Sequence, residues 1–341
     1  MNFGIFDWVE ASESLAPAEV YEHRLELAAA ADKAGFHAYM VAEHQGTPLS
    51  LDSSPSVLLS SMIQRTRRLR VGALTFCLPW YDAYRFYNEI CMLDQLSGGR
   101  IELGVGRGIS AIESAIFGVR DVEQSRESYR ETLEVFFEAC RSRNLNFQGK
   151  NYSYRDIELY NKPVQEPWPP LWFPSSNLES IDFTARHGYS TVLNTTTEKA
   201  KTLYAKYREI WQQHRNDPGR HNGHVAAPFL AKTQHIVVAG SDAEAHELGM
   251  KAYETWASHM HHLTRKYGRP DVMKLDPAAP DSAHKLIAGT PQTVIPRLQE
   301  VIRESGMNYL LGIFSFGSLP PDAALRSLQL FAKDVMPALS A

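Results

Sequence analysis

The stretch RIELGVGRG, Arg100–Gly108, begins as a strand, with Ile101, Leu103 and Val105 alternating with other residues. It then breaks into glycines at 104, 106 and 108 around Arg107. Glycines let another group approach the main chain closely, and a guanidinium suits phosphates and carboxylates. The stretch therefore predicts an anion site at the C-terminal end of a strand. Ser175-Ser176-Asn177, just before a helix predicted from Leu178, offers two readings. One is simple N-capping of that helix; the other is phosphate held by helix N-terminal amides, with Arg107 opposite. Both features fall on one predicted face, which favours the phosphate.

His44 stands just past the C-terminal end of the predicted strand Ala38–Ala42. It is either a packing residue or a proton donor and acceptor. Glu43 points to the other face by strand alternation and reads as structural. The cluster His259, His261 and His262 lacks HExxH spacing and sits late on a predicted helix, so a solvated helical face is favoured over a metal. Phe6, Trp8, Phe76 and Trp80 are candidates for apolar walls or for plain barrel packing. No GxSxG or P-loop occurs, so hydrolase and NTPase readings find no support.

These residues act together only if the intervening elements bring them together. Strand-like runs fall at Phe3–Trp8, Ala38–Ala42, Leu69–Leu74, Arg100–Val105, near Leu171–Phe173, and at Ser190–Leu193, Ala231–Val238 and Asn308–Phe314. Helical patterns separate them, punctuated by Pro17, Pro55 and Pro291 at starts and Gly35 and Gly188 at ends. Eight such units, with no Gly/Ser linker in 341 residues, predict one (β/α)8 TIM-barrel domain over 1–341. An open dinucleotide-binding sheet is disfavoured: the glycines follow the fourth strand, and Ile109 occupies the third glycine position. Before the eighth strand, Gly268–Gly289 shows no clear period and reads as an inserted lid or as a plain surface connector, the lid favoured.

The composition is that of an ordinary globular enzyme, 44% hydrophobic and 22% charged. A net charge of -4 argues against nucleic acid as the default partner. Cys77, Cys91 and Cys140 are widely spaced without a CxxC, and predict reduced thiols in a cytoplasmic protein. The start, MNFGIFDWVEASE, does not read as a signal peptide, and no apolar run approaches the ~20 residues of a membrane span.

MNFGIFDW, VAEHQG, RLRVGALTFCLP, MLDQLSGGRIELGVGRG, GTPQTVIPRLQEVIRESGMNYLLG and LFAKDVMPAL run in order along the chain. Together they resemble the bacterial luciferase-like flavin monooxygenases, most strongly the luciferase α subunit. The resemblance implies a TIM barrel that binds reduced FMN supplied by a separate flavin reductase, or in some branches a deazaflavin. It implies oxygenation of a small organic substrate with O₂ through a C4a-(hydro)peroxyflavin, in a homodimer. By the same resemblance, Arg107 grips the FMN phosphate, and Ser176, Asn177 and Ser180 contact it. His44 serves the chemistry on the flavin intermediate, and Leu74-Thr75 is a non-prolyl cis peptide beneath the isoalloxazine ring. Two departures stand out: Gly106 replaces a reactive cysteine of the luciferase α subunit, and QGTPLSLDSSP after the second strand differs. They leave the flavin in place while withdrawing aldehyde oxidation and light emission as expectations. Two alternatives are a deazaflavin-dependent oxidoreductase on the same fold and a non-catalytic flavin-binding subunit.

Overall fold

The computed structural model describes residues 1–271, 275–276 and 285–340. The first half contains β1 (Asn2–Asp7), α1 (Pro17–Ala34), β2 (Ala38–Val41), α2 (Pro55–Arg65), β3 (Arg70–Cys77), α3 (Ala83–Ser97) and β4 (Ile101–Gly106). Then come α4 (Ala111–Ile116), α5 (Val122–Arg141), β5 (Asn144–Gln148), β6 (Ser153–Glu158), β7 (Leu171–Ser175) and α6 (Leu178–His187). The second half holds β8 (Ser190–Leu193), α7 (Thr197–His214), β9 (Leu230–Val238), α8 (Asp242–Lys266) and β10 (Leu286–Gly289). It ends with α9 (Pro291–Ser305), β11 (Tyr309–Ile313), α10 (Pro321–Leu330) and α11 (Met336–Ser340).

Strands β1, β2, β3, β4, β7, β8, β9 and β11 pair in that order, all parallel, and β11 closes on β1. This is the predicted eight-stranded TIM barrel. Alternation sorts the side chains: Ile101, Leu103 and Val105 of β4 face the helical layer. Phe6, Met40, Trp172, Ala231 and Leu311 belong to the inner cluster. The helices carry their own boundary signals. Asp82 Oδ1 accepts from Arg85 N–H at the start of α3, and Gly98 adopts a left-handed φ of 66° at its end.

Two elements differ from the sequence reading. Asn144–Gln148 and Ser153–Glu158 form an antiparallel hairpin beside the barrel; its polar, half-exposed alternation lacks the apolar run by which barrel strands are recognised. Leu286–Gly289, assigned to the inserted lid, is instead β10, paired in parallel with His235–Val238 of β9. Four residues are too short for a period to show. The rest of the expected lid lies largely outside the described residues.

Candidate active site

The predicted site residues gather on consecutive strand ends at the C-terminal rim. His44 follows β2, Leu74 and Thr75 lie in β3, Arg107 follows β4, and Ser176, Asn177 and Ser180 span the turn from β7 into α6. Because β2, β3, β4 and β7 are hydrogen-bonded neighbours, the sheet itself brings these residues side by side. In a TIM barrel this rim is where catalytic groups sit.

The glycines of RIELGVGRG have a structural cause. The Leu74-Thr75 peptide is cis, and the β3–β4 register shifts between Ala73 and Phe76. A Cβ on Gly104 would stand 2.0 Å from the Ala73 carbonyl oxygen, and one on Gly106 would stand 2.4 Å from Thr75 Oγ1. The group that approaches the stripped backbone at these two positions is therefore the neighbouring strand. Gly108 is needed for a different reason, its left-handed φ of 73°.

Arg107 is half-buried and forms no hydrogen bond or ion pair with any described residue. Its charge acts on Tyr129 of α5: burial raises that phenol above its ordinary range, and Arg107 opposes the rise. The Tyr129 hydroxyl is buried beside that of Tyr189. An unpaired guanidinium at this rim suits an incoming anion, since polar groups left unpaired away from water are costly.

The Ser176–Ser180 turn is partly satisfied by itself. Asn177 Oδ1 accepts from Ser180 N–H at 2.9 Å, and Ser180 Oγ accepts from the N–H groups of Ser176 and Asn177 at 3.2 and 3.3 Å. The capping reading is thus realised in the geometry. A phosphate here would meet Ser176 Oγ and would have to compete with Ser180 Oγ for the amides.

His44 Nδ1 lies 3.0 Å from Glu113 Oε1, and the same oxygen accepts Gln45 N–H at 2.7 Å. Sequence reasoning missed Glu113. The signal available was Ser110-x-x-Glu113, a capping pattern: Ser110 Oγ does accept from Glu113 N–H and starts α4. The Glu113 side chain reaches His44 instead of closing the box. Trp80 stacks on Phe117 with centroids 5.2 Å apart, and its Nε1–H donates to Ser114 Oγ at 3.4 Å, which holds α4 in place.

Glu43 is structural, as alternation predicts. It accepts Cys77 N–H at 2.7 Å and the Tyr81 hydroxyl at 2.9 Å, and burial pushes its carboxyl up to about 8. Phe6 and Trp8 line the inner cluster. Phe76 does not; it packs outward on Tyr81 and Phe86, because the register shift between Ala73 and Phe76 resets the alternation of β3. The histidines of α8 also depart from expectation. His259 pairs with Glu10, and His261 is buried, so this is no solvated face. Among the described residues no group of three or more His, Cys, Asp or Glu could hold a metal. No described helix is long and apolar enough to cross a membrane.

Fold and rim together define a TIM-barrel protein whose β/α loops carry an unpaired arginine beside a histidine–carboxylate pair. The chain belongs to the luciferase-like monooxygenase family, whose sequence model matches residues 1–309. It is similar to the uncharacterized protein y4wF of Sinorhizobium fredii, 36% identical over 340 residues and covering 98% of this chain and 96% of that one. The oxygenase component of a flavin-dependent trigonelline monooxygenase from Acinetobacter baylyi is 22% identical, over 72% of this chain and 67% of that one. Among solved structures, the oxygenating constituent of 3,6-diketocamphane monooxygenase from Pseudomonas putida, in complex with FMN, superposes with a TM-score of 0.81. It is 19% identical, with 99% and 98% of the two chains covered. A coenzyme F420 dependent tetrahydromethanopterin reductase from Methanopyrus kandleri gives 0.72 at 15% identity, with 99% of each chain covered. At these identities the structures speak for the shared fold.

Proposed function

We propose that the protein is a flavin-dependent monooxygenase that uses reduced FMN and O₂ to oxygenate a small organic substrate. The observation that carries this is Arg107, unpaired among the described residues beside Tyr129 at the rim of a luciferase-family barrel. Arg107 would hold the phosphate, with the Tyr129 hydroxyl and Ser176 as further donors. Leu74 and Thr75, at the cis bulge, would support the ring system. The reduced cofactor supplies the activation of oxygen. His44, its Nδ1 fixed on Glu113, presents Nε2 for proton exchange, and Phe6 and Trp8 keep water from the reacting atoms. The names of the relatives, an oxygenase component and an oxygenating constituent, support a separate flavin reductase as partner. A cytoplasmic homodimer completes this reading.

The F420-dependent neighbour favours a second reading, hydride transfer with a deazaflavin. One experiment separates them. The protein is titrated with FMN and with a deazaflavin, then oxygen uptake is followed with each reduced cofactor over a panel of organic compounds. Substrate-dependent uptake with reduced FMN is expected. Tight deazaflavin binding without oxygen uptake would overturn the monooxygenase assignment.

A further inference from the structure

Asn194 stands just past the C-terminal end of β8. Strand alternation turns it inward. Trp172 of β7, Val192 of β8 and Ala231 of β9 belong to the inner cluster, while Leu171, Leu193 and Leu230 face the helical layer. Pro174, Asn194 and Thr233 are the next inward positions along these three strands. Leu193 pairs with Lys232, which puts Asn194 beside Thr233. The contact is direct: the Thr233 hydroxyl donates to Asn194 Oδ1 at 2.6 Å. Thr233 is 5% exposed, so this anchor is shielded from water. Holding Oδ1 turns the amide nitrogen away, and Nδ2 makes no hydrogen bond with any described residue.

There is open space at this nitrogen. Pro174 and Asn194 are exposed although they face the barrel interior, and so is Ser176 just after β7. Gly104 and Gly106 of the adjoining strand β4 add no side chains. The mouth of the barrel is therefore open along β4, β7 and β8, three hydrogen-bonded neighbours whose ends carry Arg107, Ser176 and Asn194. Neighbouring strands lie about 5 Å apart, so Asn194 is one strand spacing from the Ser176 turn.

We infer that Asn194 is a cofactor-binding residue that donates from Nδ2 to a carbonyl oxygen of the flavin's pyrimidine ring and thereby favours the reduced form. The identity of the cofactor rests on the proposed function. A ring held by its phosphate at Arg107 and Ser176, and supported by Leu74 and Thr75 of β3, has to extend across the mouth. There β8 stands three strands from β3, on the facing side. A neutral amide offering N–H groups suits a carbonyl oxygen. In reduced flavin deprotonated at N1 the added charge is shared with the pyrimidine carbonyls, so they accept more strongly than in the oxidised ring. Hydrogen bonds to a charged acceptor are about twice as strong as neutral ones. Donors of this kind are how a protein tunes the electronics of its cofactor. Thr233 is a positioning residue: it keeps the amide from flipping and presenting Oδ1, which would repel the same oxygen. A protein that receives its flavin already reduced gains from this bias, because the spent oxidised cofactor is then the form it releases.

The test compares binding of oxidised FMN in air with that of dithionite-reduced FMN under nitrogen, by ultrafiltration. Asn194→Ala should weaken reduced FMN about tenfold more than oxidised FMN, which lowers the two-electron potential of the bound cofactor by about 30 mV. Asn194→Asp keeps an oxygen for Thr233 but puts a charge in place of the donor, and should widen the difference further. Thr233→Val should shift the ratio in the same direction. If Asn194→Ala does not fold, Asn194→Asp decides by the same ratio. Equal weakening of the two forms, or none, would overturn this assignment and leave the proposed function standing. A wild type that binds neither form would refute the proposed function and this inference with it.

Discussion

His44 and Glu113 meet at 3.0 Å although 69 residues separate them in the chain, and the carboxylate also takes the N–H of Gln45. Glu113 thereby fixes both the His44 ring and the backbone that follows it. Its side chain is 4% exposed, so this contact is shielded from water. A carboxylate on Nδ1 favours the proton there and leaves Nε2 as the acceptor, the arrangement the proposed proton exchange needs.

The first prediction follows directly. His44→Ala should lower turnover by about 10²–10⁴, the usual range for a general acid or base, with FMN affinity nearly unchanged. Glu113→Gln should lower turnover less and shift its pH profile, because the amide still accepts from Nδ1 but carries no charge. Stopped-flow turnover across pH checks this. Normal turnover in His44→Ala would return the residue to packing.

Arg107→Ala should weaken FMN binding by about 1.5–3 kcal/mol, the range for hydrogen bonds to charged groups. Riboflavin, which lacks the phosphate, should lose much less. Fluorescence titration with both ligands is the measurement, and equal losses would sink the phosphate assignment.

Gly104→Ala tests the close approach of β3. Its Cβ would meet the Ala73 carbonyl oxygen at 2.0 Å, backbone that cannot rotate away, so the variant should lose about 3 kcal/mol in urea unfolding. Gly223→Ala is the control. Its nearest neighbour would be at 3.5 Å, and the change should stay within about 0.5 kcal/mol.

Asp52 gives a pH dependence with a definite sign. It is 3% exposed, its Oδ2 has no partner, and burial, then the Asp7 charge, push its carboxyl up to about 8. In the unfolded chain the same group titrates near ~3.9. Between those values the folded protein retains a proton that the unfolded chain has released, so stability falls as pH rises. The group's contribution is fully present below about pH 4 and is lost as pH rises through about 8. Asp52→Asn should match the wild type near pH 4 and exceed it near pH 8, by about 1.4 kcal/mol per unit of separation at most. Urea unfolding at both pH values decides; an unchanged slope in the variant would show that Asp52 ionises freely in the fold.

The barrel and most of its rim were legible in the sequence because both depend on local signals. Buried parallel strands read as apolar runs, as Leu69–Leu74 and Arg100–Val105 do, and their C-terminal ends are then fixed by counting. Arg107, His44 and Asn177 sit at such ends. The carboxylates that orient the histidines were not legible. Glu113 reaches His44, and Glu10 reaches His259, across 69 and 249 residues, and no spacing encodes such a contact. For Phe76 the sequence left wall and plain packing open, and packing holds, because the register of β3 shifts between Ala73 and Phe76.

The last four residues of β9 have a consequence for how this chain tolerates change. The chain leaves the sheet after Val238 and re-enters so that Gly289 lies opposite Val238, one strand spacing or about 5 Å away. The chain thus leaves β9 and returns beside it, and the two points lie clamped together. Asp242 tightens that clamp: its carboxylate accepts from Thr290 N–H at 2.7 Å and from the Thr293 hydroxyl at 2.8 Å. Closing such a detour costs an entropy that grows only with the logarithm of its length. The helix within it is not free to change, because Ala245, Ala252, Tyr253 and Trp256 of α8 are buried in the inner cluster. Length can vary only beyond the C-terminal end of α8, while strands β9 and β11 keep their register.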